Sequence, residues 1–196
     1  MKDQVKELLL QALEHERGGV RIYQTALSCA VDERLREEWK GYLEETKNHV
    51  AVLENVARTA KLDVQTLTPG CEIVQHIGNA LVVAMEMAAG AGDPQAAQLV
   101  ACECVVLAET KDHLNWQLLG KCAEGMSGST GTALQEAYEE IEDQEDEHLY
   151  HTKGWCRELW AQRLGLPAVL PPPEERQHVK TAIGAARAEH ASEGRR

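Results

Sequence analysis

The sequence predicts an all-α protein: a bundle of four long helices in which one additional helix crosses between two helix pairs. Apolar residues recur at intervals of three and four positions along five long segments, which is the period of an amphipathic helix. Thr68-Pro69 and Asp93-Pro94 each place a helix-capping residue before a proline, a residue that is common at the first helical position. Glycine-containing stretches at 90–92 and 125–131 separate these segments and favour helix termination.

The composition is typical of a soluble protein with one domain, over 1–164, followed by a proline-containing tail over 165–196. The formal net charge of −12 argues against nucleic acid or an anionic membrane surface as a partner and favours cations. No signal peptide is recognisable, and no apolar run approaches the roughly 18 residues of a membrane span, so we expect a cytoplasmic location. The six cysteines include no Cys-x-x-Cys pair, so we expect reduced thiols in the core.

The first two helices each carry a charge where a core residue is expected. The first is predicted over 3–29 with Asp3 as its cap, and Glu16 lies on a stripe otherwise formed by Leu9, Leu13, Val20, Tyr23 and Leu27. The second is predicted over 32–61. Glu45 and His49 lie one turn apart, on or beside a stripe formed by Leu35, Trp39, Tyr42, Leu53 and Val56.

The third helix is predicted over 70–89, and it is apolar almost all round. We therefore expect the bundle or a second subunit to cover it on more than one side, and we expect a homo-oligomer, a dimer being the simplest.

The fourth and fifth helices repeat the combination of Glu and His. The fourth is predicted over 94–124, with Glu109 and His113 on its stripe. The fifth is predicted over 132–164, from a capping-box pattern at 132–135, with Glu145 and His148 on its stripe. Glu142 lies one turn before Glu145 and is an additional candidate for an inward-pointing carboxylate.

An internal repeat relates the two helix pairs. When Glu16 is aligned with Glu109, an aromatic residue seven positions on coincides, as do three further pairs: Gln24 with Gln117, Cys29 with Cys122 and Ala30 with Ala123. Helix two then matches helix five. Such a repeat is typical of a four-helix bundle made of two antiparallel hairpins.

The charged residues on the four stripes predict a metal centre. Burying a carboxylate without a compensating charge costs several kcal/mol or more, so a buried Glu indicates a neighbouring cation or proton. Two divalent metals need about four carboxylates with imidazoles at the ends, and the four stripes supply this set. No Arg or Lys lies on the stripes near the carboxylates, which favours a metal over a network of salt bridges.

These motifs resemble the ferritin-like superfamily of bacterioferritins, rubrerythrins and short stress-induced ferritin-like proteins. The spacing from Glu16 to Tyr23 is similar to that of the first ferritin helix, in which the Glu is a ligand and the Tyr lies beside the metals. The segment Leu43 to His49 resembles the Glu-Thr motif of the stress-type members, and Glu145-Asp-Glu-His148 matches the ferritin Glu-x-x-His.

The resemblance implies a dinuclear iron centre, with manganese as the alternative metal, and oxidation of Fe(II) by O2 or H2O2 in iron handling or protection against oxidative stress. It also implies that Tyr23 relays an electron. The chain departs from the family pattern because Glu45 and His49 are four positions apart instead of three, and because the pattern usually has no His at 113. Whether His49 and His113 bind metal or hydrogen-bond to a ligand stays open.

Two other functions stay open at this point. The same ligands would suit a di-manganese, catalase-like peroxide scavenger. A non-enzymatic helical module, whose inner charges form a salt-bridge network or a dimer contact, is the third interpretation, so the chain is not assigned as an enzyme by its sequence.

Overall fold

The computed structural model describes residues 1–169 and 173, and within them the chain forms helices without any strand. The described helices are α1 (Asp3–Cys29), α2 (Glu33–Thr59), α3 (Pro69–Gly90), α4 (Pro94–Glu124) and α5 (Gly128–Arg163). The prediction of an all-α fold is confirmed. Most of the predicted tail, at 170–172 and 174–196, lies outside the described residues.

Four of the helices pack in a ring. α1 contacts α2 and α4, and α5 contacts the same two helices from the other side. α3 packs outside this ring, against α1 and α4. The order of the chain therefore makes α1 with α2, and α4 with α5, two helix pairs joined through α3.

The helix starts follow from local capping. Three capping residues accept a hydrogen bond from a backbone amide: the predicted caps Thr68 and Asp93 accept from Cys71 and Ala96, and Asp32, which precedes α2, accepts from Arg34. Proline follows directly at positions 69 and 94, as predicted.

The predicted bounds of α1, 3–29, are confirmed, but its predicted cap is wrong: Lys2 precedes the helix, and Asp3 lies in the first turn, where its charge interacts favourably with the helix dipole. The predicted start of α5, at 132, is wrong. α5 begins at Gly128, four residues before Thr132, whose hydroxyl donates back to the carbonyl of Gly128 at 3.3 Å, as a Thr inside a helix does. This early turn packs closely on the preceding loop, because a Cβ at Gly131 would lie 2.8 Å from the carbonyl oxygen of Met126.

The core has two apolar clusters along the bundle. One contains Tyr23, Trp39, Met85 and Trp155, and the other contains Leu13, Leu53, Trp116 and Ile141. The charged positions 16, 49, 109, 145 and 148 belong to neither cluster and fall between them along the helices. A buried polar layer therefore divides the core. All six cysteines are free, as predicted.

Within one copy of the chain, the described residues of the bundle do not cover α3 on more than one side, and the expected cover by a second subunit stays a prediction. Only Cys71 and Met85 of this helix are buried, whereas Ile73, Ile77, Val83 and Met87 are 50–72% exposed. The sequence-based expectation of no membrane-length apolar run also needs correction, since α3 is long and apolar enough to cross a membrane by length and composition, with a mean hydropathy of 1.2. One such helix is weak support for a span, because the length and composition alone do not say what covers its apolar face.

Candidate metal centre

Three carboxylates from three helices meet in the polar layer. Glu16 of α1, Glu109 of α4 and Glu145 of α5 are 0%, 4% and 1% exposed. Each lies on the apolar face of its helix, where the periodicity of its neighbours turns it inward. Burying these groups together is unfavourable unless cations or protons compensate their charge.

The carboxylates and two histidines form two overlapping groups that could each hold a metal ion. Glu16, His49 and Glu145 form one, and Glu109, Glu145 and His148 form the other, with the candidate ligand atoms of each group within 4.8 Å of one another. Glu145 belongs to both groups. A shared carboxylate between two ion positions is the arrangement of a dinuclear carboxylate centre.

His49 of α2 lies between two of the carboxylates. Its Nδ1 is 3.3 Å from Glu16 Oε1 and 3.1 Å from Glu145 Oε1, while its Nε2 is 2.9 Å from Gln144 Oε1. Burial lowers the pKa of His49, but the two carboxylates outweigh burial and raise it to about 11. Without a metal, His49 therefore carries a proton that compensates part of the carboxylate charge.

His148 of α5 contacts both the buried carboxylates and Glu45 at the edge of the site. Its Nε2 is 2.7 Å from Glu45 Oε2, and its Nδ1 is 3.7 Å from Glu109 Oε2 and 3.8 Å from Glu145 Oε1. Burial lowers the pKa of His148, but the carboxylates of Glu109 and Glu45 raise it to about 9. The hydrogen bond from His148 is the main cause that lowers the pKa of Glu45, whose side chain is 41% exposed.

The inner carboxylates differ in their affinity for protons. Burial is the main cause that raises the pKa of Glu145 to about 7, with Glu109 and Glu16 adding to it. Burial acts to raise the pKa of Glu109, but its interactions with His148 and Tyr23 outweigh burial and lower that pKa. Glu145 therefore holds a proton more readily than Glu109 does until a cation replaces it.

Tyr23 of α1 lies against this site, fully buried, with its ring centroid 6.0 Å from that of His148. Its hydroxyl has no hydrogen-bond partner among the described residues. Burial, and then the charge of Glu109, raise the pKa of Tyr23 well above its ordinary value. The phenol therefore keeps its proton.

Several ligand atoms lack hydrogen-bond partners within the described residues, although buried polar atoms are normally satisfied. His49 Nδ1 is close enough to Glu145 for an ion pair but does not have the angle of a hydrogen bond. Glu16 Oε1, in contrast, accepts from Trp116 Nε1 at 2.8 Å. The unpartnered atoms are Glu16 Oε2, His49 Nδ1, Glu109 Oε2, Asp112 Oδ1, both oxygens of Glu145 and His148 Nδ1. Oxygen and imidazole donors of this kind fit a divalent metal ion.

The structure brings most of the predicted site residues together. Glu16, His49, Glu109, Glu145 and His148 converge, and Glu45 reaches them from the edge through His148. His49 thus lies at the cluster despite its departure from the family spacing.

Two predicted residues lie elsewhere. His113 contacts Asp146, with 3.2 Å between Nδ1 and Oδ1, and Gln117. Glu142 is exposed, so the prediction that it points inward is wrong. Ile141, four residues before Glu145, is fully buried and occupies the inward-facing position of the preceding turn. Position 142 is rotated by about 100° from Ile141 around the helix axis and faces solvent.

Asp112 of α4 is 4% exposed and lies at this cluster, although it is not among the site residues predicted from the sequence. Burial, followed by the charges of Glu16, Glu145 and Glu109, raises its pKa well above the ordinary value. A signal was present, since Glu109-x-x-Asp112 has the same spacing as Glu145-x-x-His148 and spacing of three keeps both groups on one face.

Comparison with known proteins leaves the family open: no family model, no curated protein and no solved structure matches this chain.

Proposed function

We propose that this protein binds two divalent metal ions in the polar layer of its bundle and oxidises Fe(II) with O2 or H2O2. The observation that carries the proposal is the sharing of Glu145 between two candidate ion-binding groups. Its resemblance in motif to the ferritin-like superfamily supports the same function, in iron handling or protection against oxidative stress.

The charges of the site support metal binding. Glu16, Glu109, Asp112 and Glu145 are all buried, and among the described residues two buried histidines, His49 and His148, face them. Cations would neutralise the carboxylates and partner their free oxygens, which protons on His49 and His148 do only in part.

The residues suggest a division of roles. Glu16 and His49 would hold one ion, Glu109 and His148 would hold the other, and Glu145 would bridge them. Bound iron would supply one-electron redox chemistry between Fe(II) and Fe(III), and hard carboxylate ligands favour the more highly charged state. Tyr23 lies next to His148, with 6.0 Å between the ring centroids, and this proximity suits the proposed electron relay.

A second candidate is a metal-free structural module held together by the same groups. It is favoured by the contacts of His49 with Glu16 and Glu145, and by that of His148 with Glu45, all between 2.7 and 3.3 Å. The two candidates differ in the effect of metal, which should raise the melting temperature only if the site binds it.

The test is anaerobic Fe(II) loading followed by exposure to O2 or H2O2, with Fe(III) absorbance as the readout. We expect the wild type to take up about two Fe(II) per chain, as dinuclear carboxylate bundles do. Glu145→Gln keeps the side-chain shape but loses the bridging charge, so both uptake and oxidation should fall by at least about tenfold, since even loss of an outer partner of a ligand costs that much.

The matched control is Glu142→Gln, the same change one turn away on the exposed face of α5. It should behave as wild type. Equal oxidation rates in all three proteins would show that iron is oxidised in solution, and an unchanged melting temperature with Fe(II) or Mn(II) would favour the structural module. Release of O2 from H2O2 by the Mn(II)-loaded protein alone would instead favour the catalase-like function.

A further inference from the structure

A second feature of the molecule is a pocket of about 300 Å³ between α1, α3 and α4. The pocket and the polar layer lie on different faces of α1 and α4. His15 and Ala108 line the pocket, whereas their sequence neighbours Glu16 and Glu109 belong to the cluster of the polar layer. His15 Nε2 lies 3.0 Å from the carbonyl oxygen of Ala108, and this contact joins α1 to α4 between the pocket and the polar layer.

The lining of the pocket is largely aliphatic. Ile22, Val74, Ile77, Leu81 and Leu107 form most of it, and Ile77 and Leu107 are 54% and 61% exposed at its mouth. Exposed aliphatic side chains around a concave, apolar site are typical of small-molecule pockets.

The polar side chains at the pocket are engaged with the protein. Glu14 accepts from Gln75 Nε2 at 3.2 Å, and Lys111 donates to Asn115. Both partners are neutral amides, and one group of each sign faces the pocket, so a charged ligand that met an opposite charge there would also meet a like charge.

The space exists because two helix residues have no side chain. Gly18 of α1 and Gly78 of α3 both line the pocket, and a Cβ at Gly18 would meet no atom nearer than Arg21 Nη2 at 3.9 Å. A Cβ at Gly78 would be 3.9 Å from the Cα of Gly18. Alanine would therefore fit at either position and would favour the helix, so the glycines leave a cavity at a cost in stability.

We propose that this pocket binds a neutral, aliphatic small molecule, such as a medium-chain alcohol or aldehyde. A cavity of 150 Å³ holds benzene, so 300 Å³ accommodates roughly ten non-hydrogen atoms, which is too little space for a peptide helix. This proposal does not depend on metal binding in the polar layer.

The experiment is calorimetric titration of the full chain, without added metal, with 1-octanol as the probe. Wild type should bind one 1-octanol with a negative heat-capacity change, the mark of apolar burial, and should bind octanoate more weakly. Ile77→Glu places a carboxylate at the mouth and should weaken binding by about tenfold or more. Ile73→Glu is the matched control, one turn away on the same helix, similarly exposed at 61% and outside the lining, and should bind as wild type.

A second variant distinguishes loss of binding from loss of folding. Gly18→Ala combined with Gly78→Ala should raise the melting temperature while weakening 1-octanol binding, because added methyl groups fill the cavity and favour both helices. No binding by wild type, or equal binding by wild type and Ile77→Glu, would overturn the proposal. Equal loss of 1-octanol binding in Ile73→Glu and Ile77→Glu would also overturn the proposal. The alcohol would then bind to the exposed outer surface of α3, the surface available for a contact between copies, and not to the pocket.

Discussion

Two glycines in helix interiors differ in what surrounds them. A Cβ at Gly120 would lie 2.7 Å from ring carbons of Tyr138, whereas a Cβ at Gly41 would meet no atom within 4 Å. We expect Gly120→Ala to lower the free energy of unfolding by about 1–3 kcal/mol, because the Tyr138 ring must move. Gly41→Ala should raise it by about 0.5–1 kcal/mol, the advantage of alanine in an open helical position. Urea unfolding measures both, and equal effects in the two variants would contradict this account.

Individual site residues were predictable where the helical period alone decides their direction. Glu16, Glu109 and Glu145 each replace an apolar residue in a regular stripe, and all three are buried. The positions of His113 and Glu142 were not predictable in this way, because both fall near the edge of a stripe. There the small rotation of a helix against its neighbours decides between core and solvent, and that rotation depends on packing across the whole bundle.

At the scale of a helix, the start of α4 is tied to the end of α5. Asp93 Oδ1 accepts from the Ala96 amide at 3.0 Å, and Asp93 Oδ2 is 3.3 Å from Arg163 Nη2. Asp93→Ala removes both contacts and should lower the free energy of unfolding, mostly through the lost cap. Asp93→Ser keeps a capping oxygen but loses the half-exposed ion pair, and should lower the free energy of unfolding by clearly less than Asp93→Ala does. A loss in Asp93→Ser as large as that in Asp93→Ala, measured by urea unfolding, would show that the ion pair is the stronger contact.

The helices themselves were predictable because their signals are local. Proline after a capping residue fixed the starts of α3 and α4 to within one residue of the prediction. The start of α5 was missed because Thr132 and Gln135 only imitate a capping box, while Gly128, with a φ of 81°, lets the chain begin the helix earlier. The exposure of α3 could not be read from its sequence, since an apolar helix looks the same whether protein or solvent surrounds it.

At the scale of the whole molecule, the polar layer should make stability depend on pH. In the folded state the pKa of His49 is about 11 and that of His148 about 9, both above the ordinary 6.5, and that of Glu145 is about 7, above the ordinary 4.5. Between these ordinary and raised values the folded state binds more protons than the unfolded state, so stability is lost as pH rises. We expect the melting temperature of metal-free protein to fall steadily from pH 5 to pH 10.

The matched variant for this prediction is His49→Gln, which removes the one of the two histidines whose pKa is raised further. Its melting temperature should fall less steeply above pH 7 than that of the wild type. Bound metal should also flatten the dependence, because it replaces the protons. A melting temperature that rises with pH in metal-free wild type would contradict the assigned directions.

The division of the core into two apolar clusters with a charged layer between them also fixes how far each helix is displaced along its axis. A slip of one helix by a single turn, about 5.4 Å, would carry its carboxylate or imidazole out of the layer and into an apolar cluster. Glu145, for example, would leave His49 and move towards the apolar side chains that surround Trp116 or Trp155. An unpaired charge buried there costs several kcal/mol, whereas an apolar core of similar residues would tolerate the slip at little cost. The same residues that suit a metal therefore set the axial register of the bundle.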